Sequence, residues 1–177
     1  LDANTVGTIR SGALRDLELS GNLSLRDNGI ATVEDGAFAT LRAANLDLSG
    51  NSLARIVGGA FRDIKLSATL DLSDNTQPIT AIESHAFAGT EVDKLDVRGS
   101  SIGRLEAHAL SGLVHSDETV ELQGLGLSFV GSGALSNLTR ADGSAFARVD
   151  LSDNAIATVE EGAFATLRAA DLDLSGN

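Results

Sequence analysis

The 177-residue sequence contains no cysteine, methionine, tryptophan or tyrosine, and only one proline. Without cysteine there is no disulfide framework to indicate a redox compartment. Aromatic residues make up 3% of the chain and hydrophobic residues 42%, so any core must be mainly aliphatic. The longest uncharged stretch, residues 122–139, is rich in glycine and serine and does not read as a membrane span.

Positive charge is also scarce, because 13 Lys and Arg residues face 25 Asp and Glu residues, for a net charge of −12. Binding to nucleic acid or to an anionic membrane depends on Lys and Arg contacts with phosphate groups. We therefore expect no nucleic-acid partner, and the lack of an apolar run long enough to span a bilayer predicts no membrane insertion. Basic proteins or cations are the charged partners that this composition favours.

A pattern of aliphatic residues recurs about every 24 residues. In one unit, Leu46-Asp47-Leu48 alternates apolar and polar side chains, which predicts a short strand with one buried face. Stacked copies would form a parallel sheet, and each unit would bury its apolar side only against its neighbours. The anchor position of successive units holds Leu1, Leu25, Leu48, Leu72, Val97, Leu122, Leu151 and Leu174.

The shared pattern, L-x-L-x-x-N-x-I-x-x-V-x-x-G-A-F-x-x-L, resembles the leucine-rich-repeat family in the form common in extracellular proteins, and the resemblance covers the whole chain. It implies an α/β repeat solenoid: a right-handed coil with a parallel β-sheet on the concave face and short helical or irregular segments on the convex face. It also implies a non-enzymatic protein without a cofactor. The residues agree, since no phosphate-binding glycine loop occurs and His115 beside Ser116 and Asp117 is no more than a chance neighbourhood.

Two columns of the repeat are expected to hold the fold. One is an asparagine ladder, in which a buried amide would satisfy backbone groups of a tight turn. Ser100 and Leu125 interrupt it, so the ladder should be weakest there. The other is an aromatic spine of Phe38, Phe61, Phe87 and Phe164, continued by Leu14, Leu110 and Leu135. The ladder consists of Asn4, Asn28, Asn51, Asn75, Asn154 and Asn177.

An acidic column is predicted on the concave sheet. The position between the paired leucines holds Ser24, Asp47, Asp71, Asp96, Glu121, Asp150 and Asp173. Like charges directly opposed destabilise a sheet, so Ca²⁺, another cation, a basic partner or nearby Arg and Lys side chains should offset them. Two interpretations follow: a surface that binds a basic or cationic ligand, or a simple solvated face of a kind common in the family.

A second cluster could hold a divalent metal. Glu83 and His85 occupy the same positions in their unit as Glu106 and His108 do in the next. Stacking would bring two imidazoles and two carboxylates together, and these groups suit Zn²⁺. The same column otherwise holds glycine, so two exposed histidines without a ligand are the alternative.

Two glycosylation acceptor sequences occur, at Asn22-Leu-Ser24 and Asn137-Leu-Thr139. Both asparagines lie outside the apolar columns, where a glycan could be accommodated. Together with the repeat subtype they predict an extracellular or cell-surface location.

Two segments lengthen their units and are expected to bulge as loops: Thr76-Gln77-Pro78 and residues 139–148. In contrast, residues 25–51 and 151–177 have the same length and differ at only four positions: 26/152, 29/155, 35/161 and 45/171. Such similarity indicates a tandem duplication with a five-unit superperiod.

We expect residues 1–177 to form a single solenoid of about seven repeats, uncapped at both ends and cut from a longer array. The absence of an initiator methionine is consistent with a processed or excised piece. The function predicted first is an extracellular structural scaffold, within such an array or in a head-to-tail fibre that self-associates through its terminal repeats. The alternative is a discrete recognition or adhesion domain that binds a protein through the acidic concave sheet.

Overall fold

The computed structural model describes Asp2 and residues 4–177; Leu1, the first predicted anchor, lies outside the described residues. Short strands and turns account for the regular structure of this part of the chain, which contains no helix. The strands are β1 (Thr8–Ile9), β2 (Leu23–Ser24), β3 (Thr32–Val33), β4 (Arg42–Ala43), β5 (Leu46–Asp47), β6 (Lys65–Leu66), β7 (Thr69–Asp71), β8 (Glu91–Val92), β9 (Lys94–Asp96), β10 (Arg104–Leu105), β11 (Val114–His115), β12 (Thr119–Glu121), β13 (Phe129–Val130), β14 (Thr139–Arg140), β15 (Phe146–Asp150), β16 (Thr158–Val159) and β17 (Ala169–Asp173).

The strands stack into three parallel ladders, and successive coils supply the successive strands of each ladder. The first ladder has the orders β2-β5-β7-β9 and β12-β15-β17, and the second has the order β14-β11-β8-β6-β4. The third ladder consists of β1-β3 and β10-β13-β16, and the bridges Ile56–Ile82 and Ile82–Leu105 extend it through the middle of the chain. The predicted fold, a repeat solenoid with a parallel sheet, is confirmed.

The side of each coil opposite the first ladder is built from turns and short strands. In the coil after β3, Ala39 and Leu41 donate backbone hydrogen bonds three residues back, to Gly36 and Phe38. Gly36 and Thr40 have φ values of 65° and 61°, in the left-handed region. A right-handed helix cannot continue through such residues, so the segment stays a series of turns. Of the short helical or irregular segments expected here, the irregular form is the one found.

The core is a column of aliphatic side chains between the three ladders. Leu48, Leu72 and Leu151 are each 0% exposed. Each coil therefore hides its apolar side against the coils above and below it, as the repeat predicts. The rings of Phe38, Phe61 and Phe87 stack at 5.8 Å and 5.3 Å between centroids, whereas Phe164 is only half-buried.

The two expected loops differ in the structure. Residues 76–78 form an exposed bend. Residues 139–148, expected to bulge throughout, instead begin with β14 and end within β15, so only residues 141–145 lie outside the strands. Phe146 is 1% exposed and packs in the core. Because Phe146 is buried, the last residues of the insertion join strand β15 of the first ladder.

The first ladder is interrupted once. Within the described residues, no strand pairing joins β9 to β12, although both strands pair with their other neighbours. The second ladder is continuous past the same point, because β8 pairs with β11, and so is the third, because β10 pairs with β13. We call the gap between β9 and β12 the seam.

Candidate binding surface

The acidic column lies on the first ladder in the predicted register. Ser24, Asp47, Asp71 and Asp96 are consecutive partners in one part of the ladder, and Glu121, Asp150 and Asp173 are partners in the other. Neighbouring parallel strands are about 4.8 Å apart, so these carboxylates are close enough to repel one another. The seam separates Asp96 from Glu121.

Each aspartate of the column also caps the turn that follows its strand. A carboxylate oxygen accepts the backbone N–H two residues further on, from Ser49 at 3.0 Å to Asp47 and from Ser152 at 2.9 Å to Asp150. The same contact occurs at Asp71, Asp96 and Asp173. Hydrogen bonding from Ser175 lowers the pKa of Asp173 below its ordinary value. Turn formation alone therefore accounts for aspartate at this position.

Basic side chains of the same face neutralise most of the column. The Arg98 guanidinium lies 2.5 Å from the Asp96 carboxylate, which is only 7% exposed. This hydrogen bond lowers the pKa of Asp96. Lys94 lies 3.6 Å from Glu121 across the seam. Arg148 serves the other end, 3.2 Å from Asp150 and in contact with Asp173. The expected repulsion is thus largely offset by the chain's own cations.

Asp47 and Asp71 are different, because neither has an ion pair among the residues that the structure describes. Both are half-buried and line a polar depression. Asn22, Asn45, Thr69, Lys94 and Arg98 are among the residues that surround them. This depression is the part of the face with negative charge left over for a ligand.

The asparagine column joins successive coils. The Asn51 carboxamide oxygen accepts the backbone N–H groups of Asn28 and Ile30, both at 3.0 Å, in the preceding coil. Its amide donates to the Leu25 carbonyl at 3.0 Å in that coil and to Leu48 at 2.8 Å in its own. The same bridging arrangement, with contacts to the coil before, recurs at Asn75, Asn154 and Asn177, while Asn28 bonds to Leu25 and Asn4 to Asp2.

The two interruptions of the column behave differently. Ser100 keeps part of the bridge, because its hydroxyl accepts the Asn75 N–H at 3.2 Å and donates to the Leu72 carbonyl at 2.9 Å. Leu125 is buried and apolar, so its coil has no side-chain bridge of this kind to the coil before it. That coil contains β12, and the missing bridge therefore falls at the seam.

The predicted metal quartet is brought together only in part. The rings of His85 and His108 lie 5.2 Å apart, tilted by 32°, on the exposed side of adjacent coils. The Glu83 carboxylate contacts Arg55 and accepts the Gly58 N–H at 3.1 Å. Glu106 accepts a hydrogen bond from Arg104 at 2.8 Å. The carboxylates are thus engaged by other groups, and the metal site stays a prediction.

Groups of three or more His, Asp or Glu side chains placed to hold a metal ion do not occur in Asp2 and residues 4–177. The acidic column is included in this finding. The Ca²⁺ considered for the column therefore has no ready-made cluster of ligands within this part of the chain.

Both glycosylation acceptors are exposed. Asn22 lies beside the polar depression, and its carboxamide oxygen accepts a hydrogen bond from Asn45 at 2.8 Å. Asn137 lies in a turn on the other side of the coil, where Thr166 donates to its oxygen at 3.2 Å. A glycan on Asn22 would cover the depression, whereas one on Asn137 would leave it open.

His115 has a structural role that the sequence did not suggest. It is 3% exposed, and its Nε2 accepts the Leu95 N–H at 3.2 Å. Its register in the second ladder offers a signal, because the partner in β8 is the buried Val92. A histidine at a column position that is otherwise apolar indicates a buried imidazole with a structural hydrogen bond. The neighbouring Ser116 and Asp117 in the sequence give no such indication.

These features define a class of protein: a parallel repeat solenoid that presents polar surfaces and contains no helix apolar and long enough to cross a bilayer in its described part. Residues 21–76 match the family model described as leucine rich repeat. The resemblance to the leucine-rich-repeat family is therefore confirmed over these residues. Domains of this family typically mediate protein interactions and are typically non-enzymatic. No similar curated protein and no similar solved structure was found.

Proposed function

We propose that this chain is an extracellular or cell-surface interaction scaffold that works by stacking coil on coil, within a longer array or between copies. The observation that supports it is that a coil buries its apolar side only where another coil lies against it, as Leu48 and Leu72 show at 0% exposure. Val159 is 45% exposed and Leu172 and Leu174 are each 38% exposed. In the near-copy at residues 25–51, the equivalent side chains are covered by the next coil.

A further coil with the character of residues 52–75 would cover these side chains. Edge strand β17 would also gain a partner for its backbone groups. In the array form the coil comes from adjoining sequence, and in the fibre form it comes from a second copy in a head-to-tail contact that does not close.

Sedimentation over a wide range of protein concentrations tests the fibre form. We expect the mass to grow with concentration in the parent protein and in Gln77→Lys, an exposed control with the same added charge. Leu174→Lys should remain a monomer. A parent protein that stays monomeric even at high concentration would overturn the fibre form and leave the array form.

The compartment is tested on native material. The proposal expects a glycan on at least one of Asn22 and Asn137, because both acceptor sequences are exposed. Peptide mass spectrometry showing both residues unmodified would count against an extracellular location.

The second candidate function is binding of a basic protein segment in the polar depression. It is favoured by the carboxylates of Asp47 and Asp71, which have no cation of their own among the described residues. A Lys- and Arg-rich peptide, titrated while backbone amide signals are followed by NMR, should shift β5 and β7 in a salt-dependent manner. Asp71→Asn should abolish these shifts and Asp150→Asn, whose carboxylate already has Arg148, should preserve them. Equal shifts in both variants would exclude this candidate.

A further inference from the structure

The seam is held on one side by a histidine instead of by strand pairing. The Leu95 N–H, in β9, donates to Nε2 of His115 at 3.2 Å. An imidazole nitrogen accepts a hydrogen bond only when it carries no proton. The contact thus requires neutral His115, with its proton on Nδ1, which lies 3.4 Å from the Asp117 carbonyl oxygen.

Burial acts in the same direction. His115 is 3% exposed, and its ring lies 6.3 Å from the ring of Phe146. Desolvation lowers the pKa of His115 below the ordinary value of 6.5. The neutral form is therefore favoured in the closed structure, independently of the hydrogen bond to Leu95.

Charged groups approach the imidazole from each neighbouring element. Asp117 follows it in its own loop and Asp93 follows β8, and both favour the charged ring. Lys94 in β9 opposes it. Arg140 is its register partner in β14, where it donates to the Ser116 carbonyl at 3.2 Å. The cation of β15 is Arg148, which is occupied by Asp150, Asp171 and Asp173.

We propose that His115 makes the seam acid-sensitive. At neutral pH the imidazole holds Leu95 to the coil of β12. Protonation ends its capacity to accept that N–H and places a charge in the core, so β9 and β12 move apart at the seam, between Asp96 and Glu121. The second and third ladders remain bonded past this point, so they act as the hinge. Acid thus changes how the two parts of the acidic face lie relative to each other.

The direction follows from proton linkage. The opened state binds the proton more tightly than the closed state, because its histidine is solvated. The closed seam is therefore most stable above about pH 6.5 and loses stability as the pH falls below it, by up to about tenfold in the opening equilibrium per pH unit.

Amide hydrogen exchange followed by NMR tests the proposal in the intact chain. Between about pH 7.5 and pH 5, the corrected opening constant of the Leu95 amide should rise by about tenfold or more. The Leu48 amide, which donates to Asp71 at 2.8 Å in the unbroken ladder, should not follow it. His115→Gln should remove the pH dependence, and His85→Gln, which changes an exposed imidazole, should retain it.

A rise at Leu48 equal to that at Leu95, or a pH dependence that persists in His115→Gln, overturns the proposal. If His115→Gln does not fold, the imidazole signals of His115 in the parent protein decide. A midpoint below 6.5 that coincides with opening at Leu95 supports the acid-sensitive seam. A midpoint at or above 6.5, or no opening at Leu95, contradicts it.

Discussion

Residues 25–51 and residues 151–177 are nearly the same sequence in two different surroundings. They differ at four positions, none of which is a large apolar residue. In the copy at residues 25–51, Val33 is 1% exposed and Leu48 is 0% exposed. Their counterparts Val159 and Leu174 are 45% and 38% exposed. The copy at residues 25–51 lies between two other coils, whereas the copy at residues 151–177 has a described neighbour on one side only.

This contrast shows that local sequence sets the path of a coil, while its neighbours set its burial. Both copies form the third-ladder strand, the turn with its central phenylalanine and the first-ladder strand. What differs is the amount of apolar surface removed from water. Stability should therefore differ between the copies even where their sequences are identical.

The largest difference is expected at the phenylalanine of the turn. Phe38 is fully buried and stacked on Phe61, so Phe38→Ala should lower the free energy of unfolding by about 3–5 kcal/mol. Phe164 is half-buried, and Phe164→Ala should cost roughly half as much or less. Urea denaturation of the two variants measures this directly. Equal losses would show that burial by neighbours does not govern the energy.

The asparagine column should give the next largest difference. Asn51 is 0% exposed and bonded to two backbone N–H groups and to carbonyls of two coils. Asn51→Ala leaves these groups buried and unsatisfied, at a cost of about 1–3 kcal/mol. Asn177 makes similar bonds but is exposed, so water can replace it and Asn177→Ala should cost less than about 1 kcal/mol. Thermal unfolding should show a larger loss of stability for Asn51→Ala than for Asn177→Ala. The reverse ranking would refute the role of neighbouring coils in the asparagine column.

A change that acts on the backbone alone should affect both copies equally. Gly36 and Gly162 occupy the same turn position with φ values of 65° and 71°. An alanine there is strained whatever its neighbours, so Gly36→Ala and Gly162→Ala should each cost about 1–2 kcal/mol. Equilibrium denaturation that shows a clear difference between the two would mean that packing, and not φ, limits this position.

The smallest effect is expected where the two copies differ on the surface. Asp35→Glu and Asn45→Asp each convert a residue of the first copy into that of the second. Asp35 has a long contact of 3.9 Å with Arg62, and both side chains are largely exposed. We expect each change to alter stability by less than about 0.5 kcal/mol. A melting-temperature shift that corresponds to a larger value would show that these differences matter to the fold.

The sequence predicted the repeat, the strand register and the inward-facing columns because period and apolar alternation are written in every unit. It did not predict the three-ladder cross-section or the return of Phe146 to the core. The seam also escaped prediction, since it depends on the spacing of β11 and β12 and on a single imidazole. Ser100 and Leu125, which replace asparagine in the ladder, did indicate that coil contacts are weakened in this region. The sequence could not show which carboxylates lack an ion pair, because this depends on the side-chain conformations of Arg98 and Arg148.

Extension of the chain tests the central claim most directly. Residues 52–75, which follow the first copy, are appended after Asn177, which ends the second. If coils are stable because near-copies cover them, amide exchange in residues 151–177 should slow to the level found in residues 25–51. Exchange that stays fast in residues 151–177, although the added coil is present, would contradict the account.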